Sequence, residues 1–292
     1  MTKNRVLVLG AGGMLGHMAV RVLSESCEVF GSTRAKMQDS GALSKFLPGD
    51  RWVSGVDVLH NDVLETLLAE VQPHFVVNCV GLVKQKMSAT TFIDSIEINA
   101  LLPHRLSKAC EKTNSKLIQV STDCVFTCDQ GIKELEHEPN ATDLYGRTKF
   151  LGEIPYGSAL TLRTSIVGRQ LSGAESLFEW ILSQNGGIIN GYRKALYTGL
   201  TTMALSRVIA KVIAQHSDLT GVWQVASPEI SKYELVRELI EKLKLNIELR
   251  EDSIFECDRR LDGTAFERET GIVVPSWNEM LQEFALDQAA YV

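Results

Sequence analysis

The sequence predicts an α/β fold: a doubly wound parallel sheet with a smaller, mixed C-terminal region. Three observations lead there. An apolar run at residues 5–9 ends in a glycine-rich turn and then a helical pattern. Short apolar runs go on alternating with helical stretches as far as Arg163, and past Gly168 that rhythm stops. Strands alternating with helices make a parallel sheet, because each crossover helix carries the chain back to begin the next strand in the same direction.

The first turn reads Gly10-Ala11-Gly12-Gly13-Met14-Leu15-Gly16, with helical periodicity over residues 17–23. Glycines at 10, 13 and 16 give Gly-x-x-Gly-x-x-Gly, which permits a tight turn, backbone approach to a pyrophosphate and close packing of helix on strand. The free N–H groups and dipole of the helix start would hold the phosphates. A strand, glycine turn and helix in that order indicate a Rossmann-type dinucleotide site, with Gly10, Gly13, Met14, Leu15 and Gly16 against the cofactor. The second strand, at 28–31, runs into Ser32-Thr33-Arg34. A carboxylate about 20 residues past the turn would grip the ribose of NAD. Thr33 and Arg34 stand there instead, so NADP(H) is the preferred cofactor, with NAD(H) also admitted.

A third strand is expected at 52–56, followed by Asp57 and Val58 facing the adenine. Asn61 or Asp62 would cap the next helix, which ends before Pro73. Residues 75–78 form a strand that continues into Cys79-Val80-Gly81, small enough for a cofactor to lie against the backbone. Residues 87–113 are mostly helical, with a kink around Asn99 to Pro103; Asn99 is either a satisfied core amide or part of a proton path. Strands follow at 117–120 and 159–162. Ligands on such a sheet bind at the carboxyl ends of its strands, where Gly10, Gly81 and Ser121 all fall.

The chemistry gathers in Tyr145-Gly-Arg-Thr-Lys149-Phe-Leu-Gly-Glu153, downstream of Ser121-Thr122-Asp123. On a helix, the four-residue step puts the Tyr145 phenol and the Lys149 ammonium on one face. A neighbouring cation favours the phenolate, so the pair can exchange a proton with an alcohol or ketone. Ser121 or Thr122 could hydrogen-bond the same oxygen.

With 292 residues, 45% of them hydrophobic, the chain can bury a large core. Its net charge of -6 and dispersed cations argue against a nucleic-acid partner. No apolar stretch is long enough to span a bilayer, and the N-terminus enters a strand with no signal-peptide anatomy, so the expected location is cytoplasmic. The six cysteines read as free thiols, and the Cys124 and Cys128 spacing lacks a second ligand pair, so no metal is expected. Beyond Gly168, helices are expected at 176–182, 202–215 and 231–243, a strand at 221–224 and a capping box at Ser276-Trp-Asn-Glu279. Arg193, Lys194, Arg259 and Arg260 are candidate anion ligands. The expected division is a dinucleotide-binding domain at 1–168 and a mainly substrate-binding region at 169–292, some segments of which return to the sheet.

The glycine turn, residues 78–81, Asn99, Ser121-Thr-Asp-Cys-Val-Phe126, the Tyr145 to Glu153 motif and Arg163-Thr-Ser165 follow in one order. In this the chain resembles the extended short-chain dehydrogenase/reductases, and most nearly their dTDP-4-dehydrorhamnose reductase branch, over residues 4 to 168. The resemblance implies reduction of the C4 ketone of a nucleotide-linked 4-keto-6-deoxyhexose. Tyr145 would donate the proton, Lys149 would lower its pKa and bind the nicotinamide ribose, and Thr122, with Ser121, would orient the carbonyl. Asn99 matches the branch's helix-kink asparagine. Val83, Lys84, Asp123, Ile166, Tyr197 and Arg259 are the candidate contacts to a nucleotide-diphosphate sugar. Two positions depart from the branch: Cys124 replaces an aromatic residue and Ile166 an occasional tryptophan, both where the sugar would be touched. An epimerase or dehydratase of the same superfamily is a second reading, although Cys124 stands where the dehydratase would carry a second carboxylate. A third is an NADP-binding regulatory subunit without turnover, since the regulatory subunit of methionine adenosyltransferase resembles the same branch. A homodimer is also allowed for.

Overall fold

The computed structural model describes residues 3–36, 42–83, 92–129, 131–173 and 176–291. Its strands are β1 (Arg5–Leu9), β2 (Glu28–Thr33), β3 (Trp52–Ser54), β4 (Phe75–Asn78), β5 (Lys116–Val120), β6 (Leu160–Arg163), β7 (Ile166–Val167), β8 (Ile188–Tyr197), β9 (Leu200–Thr201), β10 (Gly221–Gln224), β11 (Ile230–Ser231) and β12 (Glu248–Arg259). Its α-helices are α1 (Gly16–Leu23), α2 (Asn61–Val71), α3 (Phe92–Ser95), α4 (Leu102–Lys112), α5 (Leu144–Leu151), α6 (Leu177–Ser183), α7 (Thr202–Gln215), α8 (Lys232–Leu243), α9 (Thr264–Thr270) and α10 (Trp277–Leu286).

Seven strands form one sheet in the order β10-β6-β5-β4-β1-β2-β3, every pairing parallel. The sheet is covered on both faces, which the alternation within β1 shows. Val6 and Val8 join a core with Ala19, Val20 and Leu23 of α1 and Val208, Ile209 and Val212 of α7. Leu7 and Leu9 join the opposite core with Leu64, Leu67 and Leu68 of α2 and Leu102 and Leu106 of α4. Each fully buried side chain of this kind contributes about 1.5–3 kcal/mol, and burial on both faces is why the strands read as continuous apolar runs. The seventh strand, β10, comes from beyond Gly168 and pairs with β6.

The remaining chain builds a second sheet, β11-β8-β12. Helix α8 lies flat on β8: a Cβ on Gly191 would stand 2.7 Å from the Tyr233 ring. Both α8 and α10 open on complete capping boxes, Ser231 with Glu234 and Ser276 with Glu279. One local feature differs from expectation: the N-cap of α2 is His60, one residue before Asn61, and makes no side-chain cap bond. The expected interruption around Asn99 is a π-helix at Ile96–Leu101 that runs directly into α4, with Pro103 the second residue of α4.

Candidate active site

The glycine turn packs as its spacing requires. Gly10 takes φ +76°, which favours glycine, and a Cβ on Gly16 would lie 2.0 Å from the Gly10 carbonyl oxygen. No side chain larger than hydrogen fits at Gly16. Helix α1 starts there with no side chain capping its amides. Gly13 is exposed and Met14 half-buried, while Leu15 is buried in the core behind them. The turn therefore presents bare backbone and helix N–H groups at the carboxyl end of β1, which suits a pyrophosphate. Gly81, Val80 and Cys79 lie alongside: a Cβ on Gly10 would reach Val80 at 3.0 Å. Burial pushes the Cys79 thiol up to about 12.

At the end of β2 the Thr33 hydroxyl donates to the Ala35 carbonyl at 2.9 Å and accepts from the Trp52 indole at 2.9 Å. These bonds hold the strand end beside Arg34, which is exposed and has no ion pair among the described residues. Asp57 turns its carboxylate onto the Leu59 amide at 3.1 Å, and Val58 is half-buried next to it.

Asn99 is a satisfied amide with a positioning task. It accepts from the Leu82 N–H at 2.9 Å and donates to the Leu82 carbonyl at 3.1 Å, clamping the segment after Gly81 to the π-helix. A Cβ on Gly152 would lie 2.0 Å from the Asn99 carbonyl oxygen, so the end of α5 is pressed onto that same turn.

Helix α5 is aimed by both of its ends. The Asp143 carboxylate accepts from the Gly146 N–H at 2.9 Å, and Gly146 rests on the Cys124 carbonyl, which a Cβ would approach to 2.2 Å. Tyr145 is thereby carried to the loop after β5, beside Thr122. Thr122 is itself fixed: its hydroxyl accepts from the Cys124 N–H at 3.2 Å and donates to Asp123 at 3.1 Å. Lys149, buried one turn further on, donates to the Val120 carbonyl at 2.7 Å.

Two expectations change at this point. Burial dominates the titration of Tyr145 and holds the phenol well above its ordinary value, with neighbouring Thr122 opposing it. Lys149 does not bring it below that value; burial instead lowers Lys149 to about 8. Ser121, expected beside Thr122 on the reacting oxygen, points away from Tyr145's partner. Its hydroxyl donates to Glu153 at 2.6 Å. Glu153 also receives both arms of Arg163, at 2.9 and 2.6 Å, and Arg163 in turn reaches Gln224 at 3.2 Å and lies over the Phe126 ring. This buried network ties β5, α5, β6 and β10 together behind the site.

The substrate candidates are placed unevenly. Asp123 is buried beside Thr122, and Arg259 donates to the Phe126 carbonyl at 2.8 Å. Tyr197 is buried against Trp277, with no hydrogen-bond partner for its hydroxyl among the described residues. Val83 is exposed, and Ile166 is half-buried where β7 pairs with β9; Lys84 lies outside the described residues. Three of the anion-ligand candidates are already engaged: Arg193 with Glu251 at 2.8 Å, Lys194 with Glu256 at 2.5 Å, and Arg260 with Asp258 and Glu229, each at 2.6 Å. All six cysteines are free, and Cys128 is exposed rather than packed in a core. Among the described residues no cluster of three or more His, Cys, Asp or Glu could hold a metal, and no helix is long and apolar enough to cross a membrane. The sequence reading missed Glu153 as an anchor and Lys232 beside Asp123.

A seven-stranded parallel sheet with a glycine turn on β1 and a Thr-Tyr-Lys constellation after β5 defines an extended short-chain dehydrogenase/reductase. Within that class, the sequence profile of the RmlD substrate binding domain matches residues 4–289, and the chain belongs to this family. A dTDP-4-dehydrorhamnose reductase from Mycolicibacterium smegmatis is 28% identical over 151 residues, 51% of this chain and 40% of that protein. The methionine adenosyltransferase 2 subunit beta of Rattus norvegicus is 25% identical over 155 residues, 51% of this chain and 41% of that one. The chain thus matches less than half the length of these curated relatives. Among solved structures, a dTDP-4-dehydrorhamnose reductase from Bacillus anthracis in complex with NADP superposes with a TM-score of 0.81 at 20% identity, covering 98% of this chain and all of that one. The fold is shared more widely: a UDP-glucose 4-epimerase from Thermus thermophilus in complex with NAD gives 0.77 at 16% identity, covering 99% and 100%.

Proposed function

We propose that the protein is an NADPH-preferring reductase of the C4 ketone of a nucleotide-linked 4-keto-6-deoxyhexose, supplying a deoxyhexose for surface polysaccharide. The observation that carries this reading is the convergence of Thr122, just past the end of β5, with Tyr145, whose phenol Thr122 pulls downward, and Lys149 one turn along the same helix. The bound cofactor would supply a hydride. The turn from Gly10 to Gly16 would hold its pyrophosphate, Asp57 and Val58 would face its adenine, and residues 79–81 would line its path. Tyr145 gives its proton to the carbonyl oxygen as charge develops there, and Thr122 orients that oxygen. The Lys149 ammonium, held on the Val120 carbonyl, stabilises the phenolate left behind and is placed to bind the nicotinamide ribose.

The direct test is loss of absorbance at 340 nm with NADPH, and separately NADH, against a panel of freshly prepared 4-keto-6-deoxy sugar nucleotides. Oxidation with one member establishes the reaction and names the nucleotide. Likeness to the methionine adenosyltransferase beta subunit favours one other reading, a regulatory subunit. Cofactor binding with no turnover across the panel would select it.

The preference for NADPH rests on Arg34, a cation just past the end of β2 with no ion pair among the described residues, as the partner of a 2′-phosphate. Arg34→Ala is expected to weaken NADPH about tenfold or more and leave NADH within about twofold. Equal losses for both cofactors would remove Arg34 from that role.

A homodimer is supported by adjoining exposed apolar groups: Phe92, Ile93 and Ile96 on α3 and the π-helix, and Phe150 and Leu151 on α5. Light scattering should give twice the chain mass for the wild type and a monomer for Ile93→Glu. A monomeric wild type at micromolar concentration would rule the dimer out.

A further inference from the structure

Lys232 begins α8 on the second sheet, immediately after the capping residue Ser231. Its ammonium sits 3.5 Å from the centroid of the Tyr197 ring, a cation–π contact that holds the head in place without using its three hydrogen-bond donors. Among the described residues those donors have no hydrogen-bond acceptor and no ion-pair partner. Arg193 and Lys194 on the same sheet, and Arg260 just past its end, are each paired with a carboxylate. The Tyr197 hydroxyl beneath is also unpartnered, and it is buried. Two polar groups next to each other thus lack acceptors among the described residues, the Tyr197 hydroxyl buried and Lys232 half-buried. Leaving the buried hydroxyl unmatched costs free energy, and a ligand oxygen received there would give the ammonium an acceptor as well.

The position lies within electrostatic reach of the reaction site. The Asp123 carboxylate, next to Thr122, acts electrostatically on Lys232, on Tyr197 and on Tyr145. Cys124 likewise acts on both Lys232 and Tyr145. Asp123 itself takes the Thr122 hydroxyl, so it orients the catalytic loop and does not neutralise the ammonium at ion-pair distance. Burial lowers Lys232 to about 8, which still leaves it mainly charged at neutral pH.

We propose that Lys232 is a substrate-binding residue: its ammonium, seated on Tyr197, receives an oxygen acceptor of the glycosyl diphosphate beside Asp123. This rests on the sugar-nucleotide reading of the site. The oxygen comes either from the diphosphate or from a hydroxyl of the hexose, and the two sources are separable.

The test compares wild type with Lys232→Met, which keeps the length of the side chain, and Lys232→Arg, which keeps the charge. Steady-state kinetics with the active panel member should show KM for the sugar nucleotide raised about ten- to a hundredfold in Lys232→Met. The KM for NADPH and the melting temperature should stay at wild-type values, and Lys232→Arg should recover most of the loss. Calorimetry with the nucleoside diphosphate and with its glucose ester locates the oxygen. Equal weakening of both ligands assigns the diphosphate; weakening of the glucose ester alone assigns the hexose. Unchanged affinity for both, or a matching fall in stability and NADPH affinity in both variants, overturns the proposal. If the wild type binds the glucose ester but turns over no panel member, only the reductase reading fails and the calorimetric comparison still decides Lys232. If it binds no sugar nucleotide, both fail.

Discussion

Tyr145→Phe is expected to lower kcat by about 10²–10⁴-fold, the range that a positioned general acid contributes, while NADPH binds as in the wild type. The substitution removes one oxygen, and the aromatic ring that fills the space stays. What it removes is the proton that must reach the carbonyl oxygen as hydride arrives. Burial holds the Tyr145 phenol above its ordinary value, so the acid form is fully present through neutral pH. A phenol so placed is a reluctant donor, and the structure supplies compensation on the product side. Thr122 stands beside it and opposes the upward shift, and Lys149 lies on the same helix face one turn away. Both favour the phenolate over the phenol and so lower the barrier to transfer. Initial rates at saturating NADPH, with cofactor affinity from a fluorescence titration, make the measurement. A kcat within threefold of wild type would show that another group or a water delivers the proton.

The large sheet was readable because its central strands are buried on both faces and appear as unbroken apolar runs, as in Val6 to Leu9 and Phe75 to Val77. The smaller sheet was not. Strand β12 reads Glu-Leu-Arg-Glu-Asp-Ser-Ile-Phe-Glu-Cys-Asp-Arg, mostly exposed, with an irregular register between Asp252 and Glu256; its pairing with β8 joins segments about 60 residues apart. No local pattern announces such a strand, and tertiary pairing alone makes it one. The site divides in the same way. Tyr145 and Lys149 are four residues apart, so their shared face follows from helical geometry. The direction of Ser121 depends on Glu153, which is 32 positions away in sequence, and the setting of Lys232 on Asp123 and Tyr197. Those neighbours are contributed by separate elements, and spacing carries no trace of them.

Glu153→Ala is expected to remove about 3–5 kcal/mol of stability, the range found when one partner of a buried ion pair is deleted. The Glu153 and Arg163 side chains are 4% and 5% exposed and joined by two hydrogen bonds, so the guanidinium left behind would be a buried cation with its carboxylate gone. Ser121 would lose its acceptor as well. Gln224 and the Phe126 ring would remain as neutral partners, too weak to replace a full charge. The consequence reaches the active site, because Glu153 follows α5 directly and Ser121 precedes Thr122: one carboxylate holds both the helix carrying Tyr145 and the loop carrying its partner. Denaturant unfolding of Glu153→Ala, Arg163→Met and the double variant forms a cycle that isolates the pair. The double variant should be more stable than the less stable single one, since removing both charges leaves none buried alone. Single variants within about 1 kcal/mol of wild type, with no coupling in the cycle, would mean that the network is hydrated and does not hold the site.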